Sequence, residues 1–407
     1  MSGVLINIVE LMLIAAVVAV IARRLSLPYT VGLVLTGVVL AATRYKSDTV
    51  LTHDFIFDVV LPPLLFEAAI NIHWKELRRD AVPVLALAIC GTILAAAVVA
   101  VGLVFGLGWP LRSALIFGVL ISATDPVSVI AMFKDNGVTG RLRLLVESES
   151  LFNDGVAAVL FSLVLAWAQT TDGASTVPPE IGRTLLLSVG GGMLAGLVCA
   201  GGAIAIAGRT SDHLVESALT MVTAYGSFLL AEHFGCSGVL ATVSAGLLMG
   251  NLGLLGDGEG GRISRRGREF VLAFWDFIAF VANSLVFLLI GLTVAGVSFD
   301  RLGWVDLMAV IGLVLLSRAM TVYPICALFV RTNWRISMGE QHVLWWGGLR
   351  GALGLALALS LPTTLPLRNE ILVATFGVVV FSVVAQGLSM PLLLNRRGTP
   401  IPSTEPE

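Results

Sequence analysis

Charged residues are scarce in this chain of 407 residues, since Asp, Glu, Lys and Arg together make up 13% of it. Soluble domains carry about 25% charged residues. Hydrophobic residues reach 57%, and the mean hydropathy is +0.94. This composition excludes an ordinary soluble protein and predicts a chain that crosses a membrane many times. The formal net charge of −2 gives no indication of binding to nucleic acid.

Cysteine and histidine are also sparse. The four cysteines lie far apart in or beside apolar runs, so neither a disulfide framework nor a CxxC site is predicted. The five histidines are scattered without metal-ligand spacing, and no phosphate-binding loop of the GxxxxGK[ST] type is present. The sequence therefore predicts no cofactor and no metal site.

The first apolar run is followed directly by Arg23 and Arg24 and has no basic segment before it, which indicates a retained span rather than a signal peptide.

Apolar runs long enough for membrane helices recur along the whole chain. About 20 apolar residues cross a bilayer as a helix, and the sequence predicts about thirteen such spans, of which the second and ninth are short. Their approximate bounds are 3–22, 28–43, 51–71, 81–106, 111–134, 143–168, 182–207, 213–234, 236–251, 268–294, 304–330, 341–361 and 368–394. We therefore expect an all-α polytopic membrane protein.

The basic residues are distributed unequally between the loops on the two sides of the membrane. The loop after the first span defines one side of the membrane. Of the 25 lysines and arginines, 17 lie on that side and six on the opposite side. The other two, Arg318 and Arg350, lie within spans. Loops rich in Lys and Arg stay in the cytoplasm. The N-terminus is therefore predicted outside, and residues 396–407 are predicted to form a short cytoplasmic tail at the inner face of the cell membrane.

Two of the predicted spans contain sequences that break a helix. The fifth holds ISATDPVSVI, in which Pro126 lacks an N–H and disfavours helical geometry at Asp125. Thr124 and Asp125 are therefore expected in unwound backbone, which a membrane tolerates only inside protein or beside a cavity. The twelfth span holds WWGGLRGALG, in which Arg350 lies close to three glycines, Gly347, Gly348 and Gly351. A plain proline kink with a capping aspartate is the alternative interpretation of the fifth span.

The two broken spans occupy matching positions along the chain. They are seven spans apart, so a division of thirteen spans into six, one and six places them equivalently. Paired interrupted helices are typical of transporters built from inverted repeats, although no strong repeat is visible residue by residue. Asp125 and Arg350 are expected to offset helix dipoles of opposite sign where the two crossed breaks meet.

The sixth span carries polar residues at its head, in ESLFNDGVAAVLF. A charge in the middle of a membrane helix costs about 3 kcal/mol on insertion scales. Ser150 and Asp154 are four residues apart and share one helix face, and Glu149 and Asn153 share the neighbouring one. Glu149 is expected to pair with Arg318, which lies inside the eleventh span.

Asp154 is expected to hold either a proton or a cation, because burial disfavours its charged form. Ser150 adds a hydroxyl oxygen, and such hard ligands suit a hard cation. Glu67, in LPPLLFEAAI of the third span, is a further carboxylate that could approach the same site. The alternative interpretation places the acids of the sixth span, and Glu67 as well, at the membrane interface.

Taken together, these motifs resemble the monovalent cation:proton antiporter family, which includes the sodium/proton exchangers. The resemblance covers most of the chain and rests on the number of spans, ATDPV, ESLFNDG, the membrane arginine of the eleventh span, and GGLRGA, in this order. It implies a secondary transporter and not an enzyme. The expected activity is exchange of sodium or lithium for protons, electroneutral, with a role in pH and sodium homeostasis.

The resemblance also implies roles for individual residues. Asp154 resembles the aspartate that binds the ion and the proton, and Asn153 resembles its companion in electroneutral members. Ser150, Thr124 and Glu67 resemble cation ligands, with Thr124 acting through its carbonyl.

Four further residues have expected roles around that site. Glu149 and Arg318 resemble the family's structural ion pair. Asp125 and Arg350 match the polar residues of the crossed broken helices, and Asp125 is also counted among the cation-binding residues.

The family fold implies a homodimer in which a core bundle moves against a dimerisation part. On this chain the transmembrane domain is expected over residues 1–395. The core bundle is expected at about 81–168 and 304–394, and the dimerisation part at about 1–71 and 182–294. The short predicted tail suggests a compact, prokaryotic-type member.

Other functions remain as alternatives. A potassium/proton antiporter is the nearest, because oxygen ligands alone do not fix the size of the ion. A channel would need a continuous lined pore. An intramembrane aspartyl protease, in which Asp125 and Asp154 meet, is a remote alternative, because ATDP and FNDG lack protease flanks.

Overall fold

The computed structural model describes residues 2–25, 27–43, 51–135, 137–169, 181–254, 263–297, 299 and 302–395, so the predicted tail 396–407 lies outside the described residues. Within these ranges the chain is helical, and no β-strand occurs. The α-helices, α1 to α17 in chain order, are Ser2–Arg24, Tyr29–Ala42, Leu61–Ile70, Trp74–Leu85, Thr92–Leu107, Leu111–Leu120, Val127–Asp135, Arg141–Ala168, Ile181–Ala207, His213–His233, Gly238–Leu248, Arg265–Val294, Trp304–Leu328, Met338–Trp346, Ala352–Leu359, Arg368–Phe381 and Gly387–Asn395. Short π-helical segments adjoin some of them, at Phe55–Val60, Ala86–Gly91, Met249–Leu254 and Ser382–Gln386.

The architecture confirms the predicted all-α class. Each predicted span coincides with one helix or with consecutive helical segments. By length and composition, the described residues contain seven helices that are able to cross a membrane: Trp74–Leu107, Arg141–Ala168, Gly182–Ala207, His213–His233, Arg265–Val294, Trp304–Leu328 and Arg368–Leu394. Shorter apolar helices account for several of the remaining spans. The count of thirteen crossings stays a prediction.

Several helix ends follow from local sequence signals. Ser337 precedes α14 and accepts a hydrogen bond from the backbone N–H of Glu340, whose side chain accepts one in return from the N–H of Ser337. This reciprocal arrangement satisfies two backbone donors that have no partner within the helix. α5 ends where Gly108 adopts a φ of +67°, and the N–H of Trp109 then turns back to the carbonyl of Leu103.

The fourth predicted span begins earlier than expected, at Trp74 instead of residue 81. The polar stretch WKELRRD is helical because Lys, Glu, Leu and Arg are good helix formers. Glu76 in the first turn also complements the helix dipole. Asp80 departs from helical geometry, with φ −108° and ψ 16°, three residues before Pro83. The proline removes a hydrogen bond and crowds the preceding turn, so the polar and apolar parts are separated by a kink.

The chain forms two compact units. Unit 1 consists of Met1–Leu51, Val82–Ser150 and Ser284–Glu407, and unit 2 of Thr52–Ala81 and Leu151–Asn283. α4, α8 and α12 each contribute residues to both units. The expected core bundle and dimerisation part have bounds that differ from those of the two units. That division concerns motion and assembly, and it stays a prediction.

In unit 1, close helix packing depends on small residues. Gly37 of α2 faces Gly291 of α12, and a Cβ at either position would overlap the backbone of the other helix. Small residues of this kind let membrane helices approach closely. The hydroxyls of Thr30 and Ser128 share a buried hydrogen bond of 2.6 Å between α2 and α7.

In unit 2, an aromatic core is fastened by polar contacts. The rings of Trp275 and Phe66 pack with their centroids 4.7 Å apart, and the indole N–H of Trp275 donates to the Thr220 hydroxyl at 2.9 Å. Glu216 is fully buried and accepts from the backbone N–H of Ser264 at 2.9 Å and from its hydroxyl at 2.8 Å. These contacts fix α10 against the start of α12.

Candidate functional site

The helix of the fifth predicted span is interrupted between α6 and α7. α6 ends at Leu120 and α7 begins at Val127, and residues 121–126 between them are not α-helical. Nη1 of Arg350 donates to the carbonyl of Ser122 at 2.7 Å and to that of Ala123 at 3.1 Å. A positive charge therefore satisfies carbonyls at the C-terminal end of α6, where the helix dipole is negative.

The helix of the twelfth predicted span is interrupted between α14 and α15, and the two breaks are in contact. The backbone N–H of Asp125 donates to the carbonyl of Leu349 at 2.8 Å. The Asp125 carboxylate accepts from the N–H of Val127 at 3.0 Å and also bonds the N–H of Ala352. The negative group thus lies at the N-termini of two helices, α7 and α15, where the dipole favours it. A Cβ at Gly351 would overlap the Asp125 side chain, so this contact needs a glycine.

Thr124 and Ser150 are held together although they are 26 residues apart in the chain. The Ser150 hydroxyl donates to the carbonyl of Thr124 at 2.7 Å, and the Thr124 hydroxyl donates to the Ser150 oxygen at 3.2 Å. Both side chains are buried. Together with Glu149 and Arg318 they line a small cavity, which has room for about one water molecule. The structure therefore places a carbonyl and two hydroxyl oxygens at one point beside the first break.

Glu149 and Arg318 form a buried ion pair between α8 and α13. Arg318 donates through Nη1 to Oε1 at 2.8 Å and through Nη2 to Oε2 at 2.9 Å. Nη2 also donates to the carbonyl of Leu344 at 3.1 Å, so the guanidinium reaches α14 as well. A two-point Arg–carboxylate contact fixes geometry as well as charge. The guanidinium thus connects α14, the first helix of the broken twelfth span, to α8.

Asn153 and Asp154 lie one turn further along α8, in the part of that helix that belongs to unit 2. Asp154 follows Ser150 by four residues and therefore shares its face of the helix. Asn153 is buried and Asp154 is half-buried. One helix thus carries the ion-pair glutamate and the buried serine in one turn and the aspartate in the next.

Glu67 lies on α3 in unit 2 and is half-buried. Its carboxylate accepts a hydrogen bond at 2.9 Å from the side chain of Asn71, which also bonds the Glu67 carbonyl at 2.9 Å. Asn71, the residue directly after α3, thus fixes the orientation of the Glu67 carboxylate. Its expected part in a cation site stays a prediction.

The sequence interpretation missed residues that support the broken helices. The backbone N–H of Arg350 donates to the Ser382 hydroxyl at 3.0 Å, and the side chain of Gln386 donates to the carbonyl of Trp346 at 2.9 Å. Both supports come from the π-helical segment of the last span. Ser382 and Gln386 are four residues apart in an apolar run. This spacing predicts that both side chains lie on the same face of a helix.

The chemistry available near the breaks is that of oxygen ligands. Among the described residues, no three His, Cys, Asp or Glu side chains are grouped so as to hold a metal ion. The groups present are a carbonyl, hydroxyls and carboxylates, which are the ligands that a hard cation prefers.

Comparison with known proteins gives consistent matches over nearly the whole chain. The family model described as "Sodium/hydrogen exchanger, transmembrane" matches residues 12–396. The Na(+)/H(+) antiporter ApNhaP of Aphanothece halophytica is 41% identical over 377 residues, which cover 91% of this chain and 70% of that protein. The Na(+)/H(+) antiporter NhaH of Halobacillus dabanensis is 34% identical over 408 residues, covering 97% of this chain and 98% of the relative.

The fold is also similar to a solved structure. The sodium proton antiporter MjNhaP1 from Methanocaldococcus jannaschii matches with a TM-score of 0.75 over 97% of this chain and 98% of that one, at 19% sequence identity. At that identity the likeness concerns the fold. The family model and the relatives carry the assignment. The chain belongs to the sodium/hydrogen exchanger family of membrane antiporters, which are transporters and not enzymes.

Proposed function

We propose that this protein exchanges sodium for protons across the cell membrane, with Asp154 as the group that binds either ion. The observation that carries the proposal is the placement of the Thr124 carbonyl and the Ser150 hydroxyl in direct contact, one helical turn from Asp154 on α8. The relatives named as Na(+)/H(+) antiporters support sodium as the cation. Lithium, which presents the same charge to the same oxygen ligands, is the expected second substrate.

The proposed mechanism is competition at one carboxylate. Sodium binds Asp154 with help from the oxygens of Ser150 and Thr124 and displaces the proton. The loaded site is then presented to the other side of the membrane, where the cation leaves and a proton returns. A bare carboxylate is costly to move through a low-dielectric barrier. The empty site therefore does not cross, and the two fluxes are coupled.

The surrounding charges are proposed to stay constant during the cycle. Glu149 keeps its charge because Arg318 binds both of its oxygens. Asp125 and Arg350 are each held by helix ends of the opposite sign. Asn153 brings no second charge to the turn that holds Asp154. Exchange of one cation for one proton, without net charge movement, follows from this arrangement.

The experiment that tests the function is cation-driven proton flux in proteoliposomes that contain the purified protein. Sodium, lithium and potassium are supplied in turn, and internal pH is followed by a fluorescent dye. We expect flux with sodium and lithium. Flux driven by potassium alone would replace the proposal with the potassium/proton alternative, and absence of flux with every cation would contradict antiport.

We also propose a homodimer in which a second copy covers the outer face of α9. Among the seven long spans, α9 is the least buried, since only 28% of its most apolar stretch lies inside the protein. Leu194 and Val198 are four residues apart on this face, and each is 61% exposed. The mass of the particle in nanodiscs measures the assembly. Val198→Trp is expected to yield monomers, whereas Val101→Trp, at an exposed position of α5, serves as the control.

The proposed orientation places the N-terminus outside and the C-terminus in the cytoplasm, in agreement with the distribution of basic residues. Fusion of a reporter that is active on one side only, attached after residue 407, tests it. Reporter activity on the outer side would reverse the orientation.

A further inference from the structure

We propose that unit 1 binds one structural water molecule in a second small cavity, where the water accepts a hydrogen bond from Arg318 and donates one to Gln386. The cavity is formed by α13, the break after α14, and the last span, and its polar lining comes from Arg318, Arg350 and Gln386. The inference is independent of which cation the protein transports.

The donor is the Nε–H of Arg318. Nη1 and Nη2 of this side chain are used by Glu149 and by the carbonyl of Leu344. Nε is buried, and within the described part of the chain it has no hydrogen-bond acceptor. The whole residue is only 6% exposed. Buried polar groups without a partner are rare in native proteins, and ordered water commonly supplies the missing one.

The position of Gly348 indicates which cavity Nε faces. A Cβ on Gly348 would lie 2.6 Å from Nε, so this edge of the guanidinium lies directly against the glycine. Gly348 lines the second cavity, whereas Gly347 lines the cavity beside Glu149 and Ser150. Nε therefore borders the second cavity, and the absence of a side chain at residue 348 keeps that border open.

The acceptor is the side-chain oxygen of Gln386. The amide nitrogen of Gln386 donates to the carbonyl of Trp346 at 2.9 Å, which orients the amide. Its Oε1 is then the atom that remains as an acceptor. A water that accepts from Arg318 Nε and donates to Gln386 Oε1 has the two polar partners that a buried water requires.

Size and charge select water over other small ligands. The cavity has room for about one water molecule. Sodium is repelled, because two of the lining residues, Arg318 and Arg350, are positively charged. A halide is larger than the available space. Apolar side chains such as Ile311, Val314 and Phe381 complete the lining and offer no further ligand for an ion.

The water extends the buried ion pair into a longer network. The chain of contacts runs from Glu149 through Arg318 and the water to Gln386, and from there to the carbonyl at the end of α14. The network therefore joins α8, α13 and the last span around the broken twelfth span. Its role is to position Arg318 and the end of α14 relative to each other.

Crystals of the full-length protein that diffract to about 2 Å test the proposal directly. We expect a density peak within hydrogen-bond distance of both Arg318 Nε and Gln386 Oε1. In crystals of Gln386→Leu, which has a side chain of similar size without the acceptor, that peak should disappear. A wild-type map that resolves other internal waters but shows no peak here would overturn the proposal. So would an anomalous bromide peak at this position in crystals grown with bromide, because it would identify an anion site.

Thermal unfolding supplies a second measurement that does not need crystals. Gly348→Ala places a methyl against Nε and should lower the melting temperature by several degrees. Gly312→Ala, where a Cβ meets no atom within 4 Å in α13, is the matched control and should not lower it. Equal melting temperatures for the two variants would contradict the placement of Nε against residue 348. The wild-type density decides the proposal even if Gln386→Leu does not fold.

Discussion

Arg318 on α13 binds both carboxylate oxygens of Glu149 on α8, at 2.8 and 2.9 Å, with the two side chains 7% and 3% exposed. The residues are 169 positions apart in the chain. The pair is neutral as a whole and lies beside Ser150, whose hydroxyl meets the Thr124 carbonyl. The ion pair thus shapes the neighbourhood of the proposed site without adding net charge to it.

Replacing either member of this pair alone should destabilise the protein. Glu149→Gln and Arg318→Gln are each expected to lower the free energy of unfolding by about 3–5 kcal/mol, because each leaves a buried charge without its counter-charge. Thermal unfolding of the purified variants measures the loss.

The double variant separates a direct contact from two independent effects. Glu149→Gln combined with Arg318→Gln buries no charge at this place and should be more stable than the sum of the two losses predicts. The control combines Glu149→Gln with Gly312→Ala, whose effects should add. Additive losses in the Glu149/Arg318 pair as well would contradict a coupled ion pair in the membrane-embedded protein.

Asp154→Asn is expected to abolish exchange and to leave the protein folded. The amide keeps the shape of the side chain but can neither release a proton nor supply a negative charge to a cation. Proton flux in proteoliposomes measures the activity, and elution as one symmetric peak on gel filtration reports folding. Full transport by the purified variant would remove Asp154 from the proposed mechanism.

Ser150→Ala should weaken cation binding without stopping transport. Loss of one oxygen ligand is expected to raise the half-saturating sodium concentration about tenfold, which corresponds to about 1.4 kcal/mol. The matched control is Ser162→Ala on the same helix, whose hydroxyl bonds the carbonyl of Ala158 one turn earlier. Equal half-saturation in both variants would show that Ser150 is not a ligand.

Exchange should be indifferent to membrane voltage. Asp154 binds either one sodium ion or one proton, so the loaded site has the same net charge in both forms. Proteoliposomes with a potassium gradient and valinomycin allow several imposed potentials, and sodium-driven proton flux is measured at each. A rate or end-point that shifts systematically with potential would indicate a second titrating carboxylate. Glu67→Gln is then the variant that should restore indifference.

The strongest predictions from sequence concern features that have a local cause. Hydrophobic runs predicted the helices, because an apolar run of sufficient length favours the lipid whichever other helices pack beside it. Pro126 and the glycines around Arg350 predicted the two interruptions, because a missing N–H and a missing Cβ act on their own backbone. A membrane glutamate and a membrane arginine predicted each other, because either charge alone is too costly inside a bilayer.

Only the tertiary structure decided which atoms meet where the two predicted breaks come together. Arg350 reaches the carbonyls of Ser122 and Ala123 across more than two hundred residues, and Asp125 meets Leu349 through its backbone. The type of a residue does not determine which backbone carbonyl it will bind, because every residue has a backbone carbonyl. The close approach of Arg318 to Gly348 is likewise visible only in three dimensions. The sequence by itself determined which groups had to be neutralised, and the packing of the helices decided which atoms neutralise them.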